Sequence, residues 1–206
     1  MPARGLLIAI EGGEGAGKST QAARLAAAIG GLVTREPGGT ALGEQVRGLL
    51  LDPAHGEVDP RAELMLMLAA RAQHVAERIE PALAAGTDVV VDRFSASTLA
   101  YQGYGRGLPL EEIRQACDLA TGGRWPDLTI LLDLDVATGA SRRRHELPDR
   151  IESADTAFHE RVREGFRRLA AAEPGSWVVL DGAADPDEVA EAALAAVRAR
   201  AERAAP

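Results

Sequence analysis

Apolar positions along the chain fall into two kinds of run. Short, nearly unbroken stretches occur at residues 6–10 (LLIAI), 89–91 (VVV) and 128–132 (LTILL). Each is too short for a buried helix and none alternates with polar residues, so they predict strands covered on both faces, as in a parallel sheet. With two weaker stretches, strands fall near 6–11, 31–35, 87–92, 128–134 and 176–181. Between them apolar side chains return at helical spacing, as at Ala22, Leu25, Ala26 and Ile29. Helices are predicted near 17–29, 41–51, 60–85, 95–103, 109–121, 136–145, 155–173 and 186–203. Asp59-Pro60 marks a start: a capping acid, then a proline whose missing N–H is harmless in a first turn. Pro109 and Asp185-Pro186 read the same way. Strand and helix alternate, which predicts an α/β domain with helices on both faces of the sheet. Ligands of such sheets sit beyond the carboxyl ends of the strands. Four of those ends carry polar residues: Glu11, Arg35, Asp92 and Asp133.

The first strand runs into Gly12-x-x-x-x-Gly17-Lys18-Ser19, a Walker A pattern. Glycines let the backbone curl until successive N–H groups point at one phosphate, and the helix that follows adds the positive end of its dipole. Gly12, Gly13, Glu14, Gly15, Ala16, Gly17, Lys18, Ser19 and Thr20 are therefore assigned to a site for the phosphates of ATP. Lys18 is expected to reach the terminal phosphates and the Ser19 hydroxyl to face Mg²⁺. Lys18 is the only lysine in the chain, all the rest of the lysine-plus-arginine total being arginine. A compact ammonium fits between phosphates where a planar guanidinium does not.

Composition narrows the class. A chain of 206 residues with 46% hydrophobic content fits one domain, residues 1–206, with a full core. Its net charge of −8 argues against broad binding to nucleic acid or an anionic membrane. A small phosphorylated ligand remains open, because a closed site needs only a few local arginines. Cys117 is alone, no apolar run approaches membrane-spanning length, and residues 1–5 lead directly into the first strand without a targeting segment. A cytoplasmic enzyme is expected. His55, His74, His145 and His159 show no metal-ligand spacing.

Two more strand ends extend the chemistry. The second runs into Thr34-Arg35-Glu36-Pro37-Gly38-Gly39-Thr40. An ordinary strand–helix turn has this composition too, but beside a Walker A loop it reads better as an acceptor-binding loop presenting Arg35 and Glu36. The third ends in Asp92-Arg93-Phe94. Unless it merely caps the next helix, Asp92 can hold Mg²⁺, directly or through a water, or orient an attacking oxygen. Arg93 can grip a phosphate with two parallel hydrogen bonds.

Taken together, EGGEGAGKST (11–20), REPGGT (35–40), DRF (92–94) with Ser97-Thr98, AYQGYGRG (100–107) and DRIE (149–152) resemble the thymidylate kinases. The resemblance implies a P-loop kinase fold: a five-stranded parallel sheet with helices on both faces and an arginine-rich lid. It implies ATP with Mg²⁺ as donor, dTMP as acceptor, dTDP as product, and a homodimer. Carried over by position, it sets the dTMP phosphate near Arg35, Pro37, Arg71 and Arg93, with Glu36 in the same loop. Arg71 also lies near the thymine ring. Thr98, with Ser97 beside it, faces the base edge. Tyr101, with Gln102 next to it, packs against the sugar and would crowd a ribose 2′-hydroxyl. Glu14 lies near the sugar, and Asp149 and Glu152 lie at the substrate end. An apolar pocket gains only ~1–3 kcal/mol from the thymine methyl, so discrimination against dUMP is expected to be modest.

Two places stand out, the first as a departure from that pattern. The family carries an aromatic, usually Phe, four residues before this arginine; here the residue is Met67. The spacing keeps Met67 and Arg71 on one helix face, but a thioether touches a ring without reproducing stacking, and Met67 reads equally as plain core. Residues 141–150 (SRRRHELPDR) form the second. A solvated basic helix end would look the same; the functional reading is a lid, about 141–152, bringing positive charge and excluding water. The P-loop offers Glu14 and no arginine, and family members of that kind bring the arginine from the lid. Arg142, Arg143, Arg144 and Arg150 are the candidates, with Arg143 and Arg150 carried forward as catalytic beside Lys18, Asp92 and Arg93. Adenine contacts are expected near 181–183. The competing readings are a P-loop kinase for another small molecule or nucleotide, and a nucleotide-dependent switch. A guanine motif of the Asn-Lys-x-Asp kind is impossible, since the chain has no asparagine.

Overall fold

Residues 4–143 and 147–204 are described by a computed structural model. All five predicted strands form: β1 (Leu7–Gly12), β2 (Leu32–Arg35), β3 (Val89–Asp92), β4 (Leu128–Asp133) and β5 (Trp177–Asp181). They make one sheet in the order β2-β3-β1-β4-β5, every neighbouring pair parallel. The helices are α1 (Lys18–Ile29), α2 (Ala41–Leu51), α3 (Pro60–His74), α4 (Glu80–Ala84), α5 (Ser95–Thr98), α6 (Leu110–Thr121), α7 (Val136–Arg142), α8 (Thr156–Ala172) and α9 (Pro186–Ala204).

The unbroken apolar strands do what their composition demands. Ile8 and Ile10 pack with Ala22, Leu25, Val189 and Val197 of α1 and α9 on one face. Leu7 and Ala9 point the other way, toward Ile79, Leu83 and Phe94. β1 lies at the centre of the sheet, so the loop that follows it opens among neighbouring strand ends. Ile10 is in register with Asp92, and Asp92 with Arg35, which brings these ends to one level. Thr40, Asp59, Asp135 and Asp155 each accept a backbone N–H from the first turn of the helix they precede, as short polar side chains do at that position.

Three predicted helices differ in detail. The helix expected over 60–85 is α3 and α4 joined by a π-helical segment, Val75–Ile79. Pro81 has no N–H for the carbonyl four residues back, and the wider turns just before it absorb the break. The helix expected over 95–103 is α5 followed by a second π-helical segment, Leu99–Gly105. The helix expected over 136–145 stops at Arg142; Arg144 and His145 lie outside the described residues.

Candidate active site

A cavity of about 460 Å³ opens over the carboxyl ends of β1, β2 and β3. One end is the loop after β1. Gly15 has φ 72°, and a Cβ there would fall 2.4 Å from the Gly139 carbonyl oxygen, so α7 rests directly on the loop. The Lys18 ammonium folds back and donates to the Gly13 carbonyl at 2.7 Å. Burial, reinforced by Arg93, pushes its pKa down to about 8. The Ser19 hydroxyl donates to Asp92 Oδ2 at 2.5 Å. The second Asp92 oxygen, Oδ1, is buried without a hydrogen-bond partner. A hydroxyl beside a carboxylate with a free hard oxygen is a donor set that fits Mg²⁺ or one of its waters.

Facing the loop is Arg93, with φ 68°. Its guanidinium donates to Glu14 Oε1 at 2.5 Å and to the Gly12 carbonyl at 3.1 Å, and stands 5.0 Å from the Tyr101 ring centre. The Tyr101 hydroxyl donates to the same Glu14 oxygen at 2.7 Å. Burial alone would raise the Glu14 carboxyl, but Arg93, Lys18 and that hydroxyl outweigh it and hold the group well below the usual carboxylate range. The Tyr101 ring is fixed edge-on by Phe158 and Phe166, with centroids 6.1 and 6.2 Å away.

The loop after β2 supplies the third wall. Arg35 lines the cavity and is paired with Glu44 on α2 at 2.8 Å. Glu36 turns inward, accepting from Arg71 Nε at 2.7 Å and pairing with His74 Nδ1 at 2.9 Å; His74 Nε2 meets the Thr34 hydroxyl at 2.7 Å. Gly39 must be glycine, with φ 78° and only 2.6 Å from a built Cβ to His74 Nε2. Arg71 is almost wholly buried and donates to Thr98 Oγ1 at 2.8 Å and to the Phe94 carbonyl at 3.1 Å. Pro37, Met67, Arg71, Ser97, Thr98 and Gln102 line the deeper end with Leu51 and Ile151.

The segment expected to form a lid adds Arg142, Arg143, Asp149 and Glu152 to the cavity lining. Arg142 donates to the carbonyls of Gly15 and Gly182. Arg143 lines the cavity and is ion-paired with Glu152. Asp149 also lines it, but its carboxylate is used locally, Oδ1 accepting the N–H groups of Ile151 and Glu152 at 2.8 Å each; burial raises its pKa.

The thymidylate kinase family model matches residues 10–193. The chain belongs to the thymidylate kinase family. Relatives named thymidylate kinase include that of Deinococcus radiodurans, 51% identical, with 96% of this chain and 98% of the relative covered. That of Cereibacter sphaeroides is 50% identical, with 96% of each covered. The crystal structure of thymidylate kinase from Ehrlichia chaffeensis matches with a TM-score of 0.79 at 32% identity, covering 95% of this chain and 99% of that one. The sheet is thus the P-loop kinase sheet of the thymidylate kinases, and the chain is a phosphotransferase of that family.

Within this thymidylate kinase fold four expected site residues are not part of the cavity lining: Gly12 at the end of β1, Gly13 and Ala16 in the loop after it, and Arg150. Arg150 does not line the cavity: its Nε donates to the Leu50 carbonyl at 2.8 Å and its Nη2 to Glu63 Oε2 at 2.6 Å. The cause is Glu63, a fully buried carboxylate that also accepts from Gln102 at 2.9 Å and Arg106 at 3.2 Å. Such a charge has to gather cations, and Arg150 is one of them. Sequence reasoning missed Glu63 and Arg47. Arg47 lines the cavity from α2 and donates to the Pro37 carbonyl at 3.0 Å. Its only sequence signal is its place seven residues after Thr40, two turns along the helix that follows the 35–40 loop.

Proposed function

We propose that the protein transfers the γ-phosphoryl group of ATP to the 5′-phosphate of dTMP, giving dTDP and ADP. The observation that carries this reading is one cavity lined by Lys18 of the P-loop and by Arg93, which follows β3, so that each could hold an anion. The bond from the γ-phosphorus to the β,γ-bridging oxygen breaks, and one from the γ-phosphorus to an acceptor phosphate oxygen forms. Catalysis is then positioning and charge neutralisation, without a covalent enzyme intermediate.

Each side chain has a partner to exchange. Lys18 leaves the Gly13 carbonyl for the donor phosphates, and Arg93 trades the Glu14 carboxylate for the acceptor phosphate. Arg143 is the lid arginine that reaches the transferring group, releasing Glu152. Ser19 and Asp92 would hold Mg²⁺, Asp92 through Oδ1 or a water, and the ion would neutralise donor phosphate charge. Arg35, Glu36, Pro37 and Arg47 frame the acceptor. Thr98, Arg71, Gln102 and Met67 take the base, and Tyr101 with Glu14 takes the deoxyribose. Asp149 and Glu152 shape the lid's return. Arg142, fastened to Gly15 and Gly182, offers its guanidinium plane to the adenine.

We also read the protein as a cytoplasmic homodimer of single-domain chains. The apolar Leu42, Leu49 and Met65 on α2 and α3 are exposed where a second copy would cover them, and Cys117 is buried and unbridged. No helix among the described residues is long and apolar enough to cross a membrane.

ADP release with and without nucleotide acceptors tests the reading. dTMP should stimulate it more than dUMP, dCMP, dGMP or dAMP, and Lys18→Ala and Arg93→Ala should each abolish most of the dTMP-dependent rate while thermal melting stays near wild type. A nucleotide switch would instead hydrolyse slowly with no acceptor dependence.

A further inference from the structure

Of the polar residues at strand ends, Arg35 and Asp92 line the cavity and Asp133 pairs with Arg163 at 2.8 Å. Glu11 does neither. It is fully buried, immediately before the P-loop. Oε1 accepts the N–H groups of Phe94 at 2.8 Å and Ser97 at 3.2 Å, and Oε2 accepts the Ser97 hydroxyl at 2.6 Å. Burial pushes its pKa up to about 7 in spite of these bonds. A buried carboxylate with no cation in direct contact is a poor way to gain stability.

What it holds is unusual. Arg93 is the only non-glycine residue with positive φ among the described residues. Such a conformation persists where the surroundings over-determine it, and here both flanks are tied to β1. The Arg93 N–H donates to the Ile10 carbonyl at 3.0 Å, and the next N–H, from Phe94, goes to Glu11. The Ser97 hydroxyl that donates to Glu11 also accepts from Arg93 Nη1 at 3.2 Å. A continuous chain therefore runs from the Arg93 guanidinium through Ser97 to the Glu11 carboxylate.

We propose that Glu11 is a positioning residue: through Phe94 and Ser97 it locks the Asp92–Phe94 turn to β1 and aims the Arg93 guanidinium at the acceptor phosphate. This rests on Arg93 being the acceptor clamp. Because Glu11 also precedes Gly12, one residue joins the root of the donor loop to the arginine of the acceptor site and sets the gap across which the phosphoryl group moves.

Kinetics of Glu11→Gln, Ser97→Ala and their double variant test this, with Arg93→Ala in parallel. Glutamine keeps the shape and one acceptor oxygen but presents an NH₂ to Ser97. The expected result is a KM for dTMP raised roughly tenfold in each single variant, the scale of one hydrogen bond to a charged group. The KM for ATP should stay within about twofold. The double variant should be no worse than the worse single, because both act through one bond. A merely structural role would reduce active enzyme, hence kcat, and leave both KM values alone. If Arg93→Ala does not raise the KM for dTMP, the acceptor reading fails. If Arg93→Ala raises it while Glu11→Gln and Ser97→Ala do not, or if Glu11→Gln raises both KM values equally, the positioning role is overturned. Should Glu11→Gln not fold, Glu11→Asp takes its place, with the same expected and overturning results.

Discussion

At the scale of single residues, Lys18 shows burial and ligand charge in opposition. With a pKa near 8 in the unliganded protein, it is charged below that pH and loses its proton above it. Bound phosphates favour the charged form. ATP binding should therefore take up a proton on the alkaline side, about 0.1 at pH 7 and about 0.9 at pH 9 from this group, with affinity falling as pH rises past 8. Calorimetry in buffers of different ionisation enthalpy measures the uptake, and Lys18→Arg should show none from this position. Met67 belongs at the same scale. Met67→Phe should lower the KM for dTMP a few-fold, since an aromatic pair contributes roughly 0.5–1.5 kcal/mol beyond its buried area; an unchanged or higher KM would remove Met67 from the base site. The P-loop, Arg93 and Tyr101 were readable in the sequence because they lie inside dense local motifs. Glu63 was not, because its partners Gln102, Arg106 and Arg150 are 39, 43 and 87 residues away and meet only in the fold.

Elements were more legible than side-chain partners. The apolar runs located β1, β3 and β4 most sharply because a strand covered on both faces has no polar positions to confuse the pattern, while the half-exposed edge strands β2 and β5 left weaker stretches. Asp59-Pro60, Pro109 and Asp185-Pro186 marked helix starts because a cap or a first-turn proline acts only on the next turn. The π-helical segments Val75–Ile79 and Leu99–Gly105 were invisible, because one wider turn hardly alters the hydrophobic period. The consequence of element packing is sharpest at Glu63, which fastens α3 to the second π segment and to Arg150. Glu63→Ala would leave Arg150 and Arg106 without their carboxylate, a loss of about 3–5 kcal/mol for a broken buried pair. For a chain of this size that is a fall in Tm of roughly 10 °C, readable by scanning calorimetry. A shift of only a degree or two would mean that the knot is dispensable.

On the scale of the whole molecule, Glu11 links pH to unfolding. Its carboxyl titrates near 7 when folded, against 4.5 as its ordinary value. Between those values the folded chain holds a proton that the unfolded chain has lost, so this group's contribution to stability falls as pH rises from about 4.5 to 7 and is constant above. Relative to Glu11→Gln, wild type should lose up to about 3 kcal/mol over that window in urea unfolding; parallel pH profiles would place its titration in the normal carboxylate range. The sheet order β2-β3-β1-β4-β5 gathers the ends of β1, β2 and β3 over one cavity, and four of the arginines there already have carboxylates: Arg93 with Glu14, Arg71 with Glu36, Arg35 with Glu44, Arg143 with Glu152. At those four positions the enzyme is its own counterion. Stray phosphate or sulfate must there evict an internal carboxylate with nothing else to offer, whereas a nucleotide brings a base and sugar that help pay for the exchange. Indifference of these four arginines to the small anions that crowd any cell follows from that pairing.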